Sequence, residues 1–126
     1  IVIVEYNAFF SFSLPVTIPY QKDFVMDRLN SPFYWGASLN SFYKLAIEKG
    51  YSFIGCNSNG NNAYFVKTDK LKKFEAKKPE EGFIKAKFRL GFNEDLTTLS
   101  YAQILQTMKD KPLFNIETNQ IQFLNN

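Results

Sequence analysis

Glu5 and Asn7 close an apolar run, Ile1-Val2-Ile3-Val4, that reads as a β-strand. In an open α/β sheet, ligands gather outside the carboxyl ends of the strands. A partly buried carboxylate in that position can have its pKa raised towards neutrality, so Glu5 is the candidate general base or the group that orients a substrate hydroxyl. Its competing role is to cap the following loop by accepting backbone amide bonds. Asn7 beside it is a candidate for substrate binding. Tyr34 and Trp35 join it because they precede Ser38, where a helix N-terminus offers unpaired amides to an anion or a carboxylate. Trp35 reads equally well as packing, and Ser38 reads better as a helix cap. Asn57 and Asn62 flank an Asn/Gly cluster and can present amides to a sugar. The favoured reading of that cluster is a hairpin turn, since Asn and Gly tolerate the positive φ such a turn needs.

Composition removes most other chemistry. The chain has 126 residues, no histidine, one cysteine, fourteen phenylalanines and a formal net charge of +3. Without histidine, and with Cys56 alone, zinc clusters, internal disulfides and serine or cysteine triads fall away, and no metal site is expected. Cys56 ends an apolar strand and reads as an inert thiol. Carboxylate, lysine, tyrosine and amide chemistry remain, or binding alone. No segment approaches the roughly 20 apolar residues of a membrane span, and Glu5 and Asn7 cut short any signal-peptide reading, so the expected setting is cytoplasmic. Abundant Asn, Lys, Ile and Phe beside scarce Arg is the signature of an AT-rich coding sequence rather than of a chemistry.

These side chains need elements to hold them. Leu39, Phe42, Tyr43, Ala46 and Ile47 recur at helical spacing, with Ser38 as N-cap and Gly50 just past the C-terminus. Tyr51 to Cys56 and Ala63 to Lys67 read as strands joined by the Asn57–Asn62 turn. A strand joined to another through a helix normally runs parallel to it, while a short turn forces the third strand antiparallel. The β-branched opening run predicts a strand with neighbours on both edges, and therefore further strands before Ile1. Residues 8 to 37, with Pro15, Pro19, Pro32 and aromatics such as Phe9, Phe10, Phe12, Tyr20 and Phe33, form a long loop. It reads either as a lid over a crevice or as packing laid on the sheet.

Eight of the thirteen lysines fall between Lys67 and Lys87, interleaved with Asp69, Glu75, Glu80 and Glu81, so a nucleic-acid partner is not expected. Tyr101, Ile104, Leu105 and Met108 mark a second helix that stops before Pro112, and Phe114 to Glu117 and Ile121 to Leu124 read as short strands. The organisation expected is a crevice-forming α/β part over residues 1–69, with 8–37 as its long loop, and a basic connector with a helix and short-strand appendage over 70–126.

Taken together, Ile1 to Asn7, Tyr34-Trp35-Gly36-Ala37-Ser38-Leu39, Gly50-Tyr51, Gly55-Cys56-Asn57-Ser58 and Gly60 to Val66 resemble the C-terminal part of bacterial class I S-adenosylmethionine-dependent methyltransferases of the FkbM-like kind. The resemblance covers roughly residues 1–69. It implies a Rossmann-like methyltransferase sheet in which an antiparallel strand is inserted between the last two parallel ones, with S-adenosylmethionine as the cofactor of the whole protein and a small-molecule or sugar acceptor. The Gly-rich turn after a first strand, which holds the cofactor in that family, has no counterpart here, so no cofactor-binding residue is assigned to this chain. The expected function is the acceptor side of a methyltransferase. The alternative is a non-catalytic binding or assembly module of surface-polysaccharide biosynthesis on the same fold, and a homo-oligomer remains open in either case.

Overall fold

A computed structural model describes residues 1–124. Its first sheet holds β1 (Val2–Glu5), β3 (Tyr51–Cys56) and β4 (Asn62–Lys67) in the order β1-β4-β3. β4 pairs antiparallel with both neighbours, Val4 facing Ala63 on one side and Ser52 facing Val66 on the other, so β1 and β3 share a direction with β4 between them. The α1 helix (Leu39–Glu48) connects β1 to β3 through the long loop. The second sheet joins β2 (Val16–Thr17), from within that loop, to β5 (Leu113–Asn115) and β6 (Gln120–Gln122). Short α2 (Pro79–Gly82) and α3 (Tyr101–Thr107) complete a mixed α/β domain.

Two expectations change. The β-branched run of β1 does not lie in the middle of a sheet: β1 is an edge strand, paired with β4 alone, and Ile3 is 59% exposed. The tail, read as an appendage, instead shares a core with the loop. Phe9, Phe10, Val16, Phe33 and Tyr34 pack there against Ile104, Met108 and Leu113. The apolar residues of the loop and those of the tail complete each other, since neither segment buries its aromatic and aliphatic groups alone. A second cluster, Tyr6, Leu39, Phe53, Ala63 and Phe65, lies between the first sheet and α1, and Ala86 packs against both clusters.

The sequence signals for α1 hold in detail, except that Ile47 faces solvent. Leu39 is fully buried, and Phe42, Tyr43 and Ala46 pack against the second cluster. Ser38 caps the helix, its Oγ accepting from the Ser41 amide at 3.1 Å, and that hydroxyl also donates to the Leu14 carbonyl and accepts from the Val16 amide. One buried hydroxyl thus joins the helix start to the strand β2. Replacing Ser38 by Ala is expected to cost about 2 kcal/mol in urea unfolding, more than an ordinary cap, because the partners in the loop are left unpaired inside the protein.

A candidate ligand crevice at the end of β1

The loop returns to the end of β1 because of Asn7. This side chain is fully buried, and its amide donates to the Phe33 carbonyl at 2.8 Å and the Trp35 carbonyl at 2.9 Å while its Oδ1 accepts from the Phe9 amide at 3.0 Å. Every donor and acceptor on the amide is therefore engaged across the neck of the loop. The Asn7 backbone amide adds a bond to the Ala37 carbonyl.

A third segment closes the site from the other side. The Asn57–Asn62 turn is tied internally, Asn57 Oδ1 accepting from the amides of Asn61 and Asn62, and its Asn61 carbonyl accepts from the Tyr6 amide. Gly60 lies in that turn at φ +72°, and a β-carbon there would sit 2.2 Å from the Lys85 carbonyl oxygen. Only glycine lets the 84–89 strip lie so close across the turn. The strip is held by the Tyr6 hydroxyl, which donates to the Ile84 carbonyl at 2.6 Å, and by the Lys87 amide on the Asn59 carbonyl.

Between these walls opens a crevice of about 500 Å³. Its apolar sides come from Phe9, Phe33, Trp35, Phe88 and Phe92, with Met26 and Ala86, and its polar groups from Glu5, Asn61, Arg28 and Arg89. Arg28 follows Asp27, whose carboxylate caps a turn by accepting from the amides of Leu29 and Asn30. The Asn30 amide bonds hold that carboxyl below its usual range.

Of the catalytic and substrate-binding candidates read from sequence, Glu5 and Trp35 line the crevice and Asn7, Tyr34, Asn57 and Asn62 do not, while Phe9 and Phe33 of the long loop do. Glu5 is solvent-exposed at the rim, and it does not cap the loop; Asn7 does that. Asn7 itself is a clamp, fully buried and with both polar atoms of its side chain bonded within the protein. Tyr34 turns away, its hydroxyl donating to the Pro112 carbonyl at 2.6 Å. Asn57 and Asn62 belong to the turn. Their place at the wall is taken by Asn61, and the two arginines were not anticipated at all. Their scarcity in a lysine-rich chain was the available signal.

The Tyr6, Cys56 and Tyr101 side chains nearby stay in their neutral forms. Burial pushes the Tyr6 phenol up, with the Cys56 thiol beside it adding to the effect. Burial likewise raises Cys56, which stays a protonated thiol and a poor nucleophile. The Tyr101 phenol, which donates to the Ala8 carbonyl, is pushed up to about 12 by burial. Among the described residues no group of three or more acidic, thiol or imidazole side chains is arranged to hold a metal, and no helix is long and apolar enough to cross a membrane. Comparison with family models, with curated proteins and with solved structures finds no match.

Two outcomes test this geometry. Replacing Asn7 by Ala should cost about 3 kcal/mol in urea unfolding, since the carbonyls and the amide it serves lose their partners in the interior. Alkaline unfolding should be governed in part by Tyr101. Below about pH 10 both the folded and unfolded phenols are protonated, and above it the unfolded phenol ionises while the folded one keeps its proton to about 12, so stability falls as pH rises through that window. The urea midpoint of wild type should therefore decline between those values, and Tyr101→Phe should flatten the decline.

Proposed function

We propose that the crevice is the acceptor site of an S-adenosylmethionine-dependent methyltransferase-like protein, with Glu5 receiving the proton or hydrogen bond of an acceptor hydroxyl or amine. The observation that carries this reading is the placement of a carboxylate and an aromatic-walled crevice at the carboxyl end of β1, in a sheet whose two same-direction strands flank an antiparallel one. The resemblance in residues 1–69 supports the same reading. The open edge of β1 leaves unpaired backbone groups on which a further strand can add.

The residues present do not fit the cofactor. The turn entering α1 has the Ser41 amide served by the buried Ser38, and the only glycine at the crevice with a tight backbone approach, Gly60, is covered by the Lys85 carbonyl. The role proposed for this chain is accordingly confined to binding the acceptor, shielding it with aromatic side chains and accepting its proton at the Glu5 carboxylate. The open β1 edge also suits the second reading, a non-catalytic assembly module on the same fold, in which Glu5 has no part in turnover.

Titrating S-adenosylmethionine into the 126-residue chain by calorimetry should show no binding, and micromolar affinity would overturn the assignment of the cofactor to other segments. In the natural polypeptide that carries this chain, Glu5→Gln should lower methyl transfer by roughly 10²-fold or more while leaving the thermal midpoint unchanged, because Glu5 is exposed and bonded to nothing it must support. Full retained activity would remove Glu5 from the mechanism, and a wild-type polypeptide that transfers no methyl group would favour the module.

A further inference from the structure

The two arginines of the chain, Arg28 and Arg89, lie 61 residues apart in sequence, and both line the crevice, whereas none of the thirteen lysines does. In a chain whose cations are otherwise all lysine, this places its only planar, fork-shaped donors at one site. A guanidinium presents paired N–H groups to the oxygens of a carboxylate or phosphate, which an ammonium does not. Neither arginine is ion-paired among the described residues, where the one salt bridge joins Lys44 to Glu117. Glu5 is the single carboxylate at the wall, so the lining carries a net positive charge.

The backbone contributes as well. Arg89 has φ +55°, a left-handed conformation that non-glycine residues adopt sparingly. Its guanidinium lies 5.5 Å from the centroid of the Phe88 ring. Stacking against a ring restrains the fork and leaves its edge donors available to a ligand. Around these cations the crevice is aromatic, which suits a flat, weakly polar body.

We infer that the crevice binds a small organic anion, a carboxylate or phosphate group held between Arg28 and Arg89 with an apolar ring or sugar body against Phe33, Trp35 and Phe88. This deepens the acceptor-site reading and rests on it only for what happens to the bound molecule. Binding itself is read without any methyl transfer, so the two fail separately.

The test is a calorimetric and NMR titration of the 126-residue chain with two matched pairs: 4-hydroxybenzoate against 4-hydroxybenzamide, and glucose 1-phosphate against glucose. The expected result is saturable binding of one anion, at least roughly tenfold tighter than its neutral partner, weakened by added salt, with shifts at Trp35 and Phe88. The pair that responds tells a carboxylate ligand from a phosphate ester. Arg28→Gln and Arg89→Gln should each weaken binding about fivefold or more and the double variant abolish it, while Lys109→Gln on an exposed helix end leaves it unchanged. Circular dichroism confirms that each variant is folded. Equal binding of acid and neutral analogue, binding untouched in the folded double variant, or no saturation by either anion at about 10 mM would each overturn the inference.

Discussion

The buried amide of Asn7 is the constraint on which the rest of the molecule depends. It draws the far end of a thirty-residue excursion back to the point where β1 ends, by bonding two carbonyls that would otherwise be stranded in an apolar interior. Without that clamp, the carbonyls of Phe33 and Trp35 lose the partner that fixes them beside the end of β1. With it, the aromatic residues of the loop form one wall of a crevice and the inner surface of a core at the same time. Phe9 shows the dual use, packing edge-on against Phe33 with ring centres 5.1 Å apart while also lining the crevice.

Much of the scaffold was legible in the sequence because local rules dictated it. The helical spacing from Leu39, its serine cap, the Asn/Gly turn and the two strands around it are all decided within a few residues of themselves, and the structure keeps them. The antiparallel direction of β4 against β3 followed from connection lengths, whereas its place between β1 and β3 was what the resemblance implied. What escaped was whatever depends on distant segments meeting. Nothing within Val16-Thr17 signals that it will pair with Leu113–Asn115, and β1 looked like an interior strand because β-branched residues report burial preference rather than actual neighbours.

The site was half legible for the same reason. Glu5 and Trp35 were found by their position relative to elements, and they line the crevice. Asn7, Tyr34, Asn57 and Asn62 were chosen for chemistry that an amide or a phenol can perform, yet the first three spend their polar atoms on neighbours and Asn62 serves as the first residue of β4. Arg28 and Arg89 belong to irregular segments whose paths no periodicity encodes, and only their rarity set them apart. The Gly60 turn, which carries the 84–89 strip across its back, is another long-range meeting that the local pattern does not express.

Three tyrosines show how far such meetings reach. Tyr6 donates to the carbonyl of Ile84, Tyr34 to that of Pro112, and Tyr101 back to that of Ala8. These phenols stitch the early chain to the late chain over separations of 78, 78 and 93 residues. During synthesis from the amino end, the Tyr6 bond therefore waits for Ile84, the Tyr101 bond for α3, and the Tyr34 bond for Pro112 beyond it. Until then the long loop carries exposed Phe9, Phe10 and Phe33 with nothing to cover them. Crevice assembly is consequently among the late events of folding, and a nascent chain stalled before residue 101 would present a sticky aromatic surface to the cell rather than a partly formed binding site.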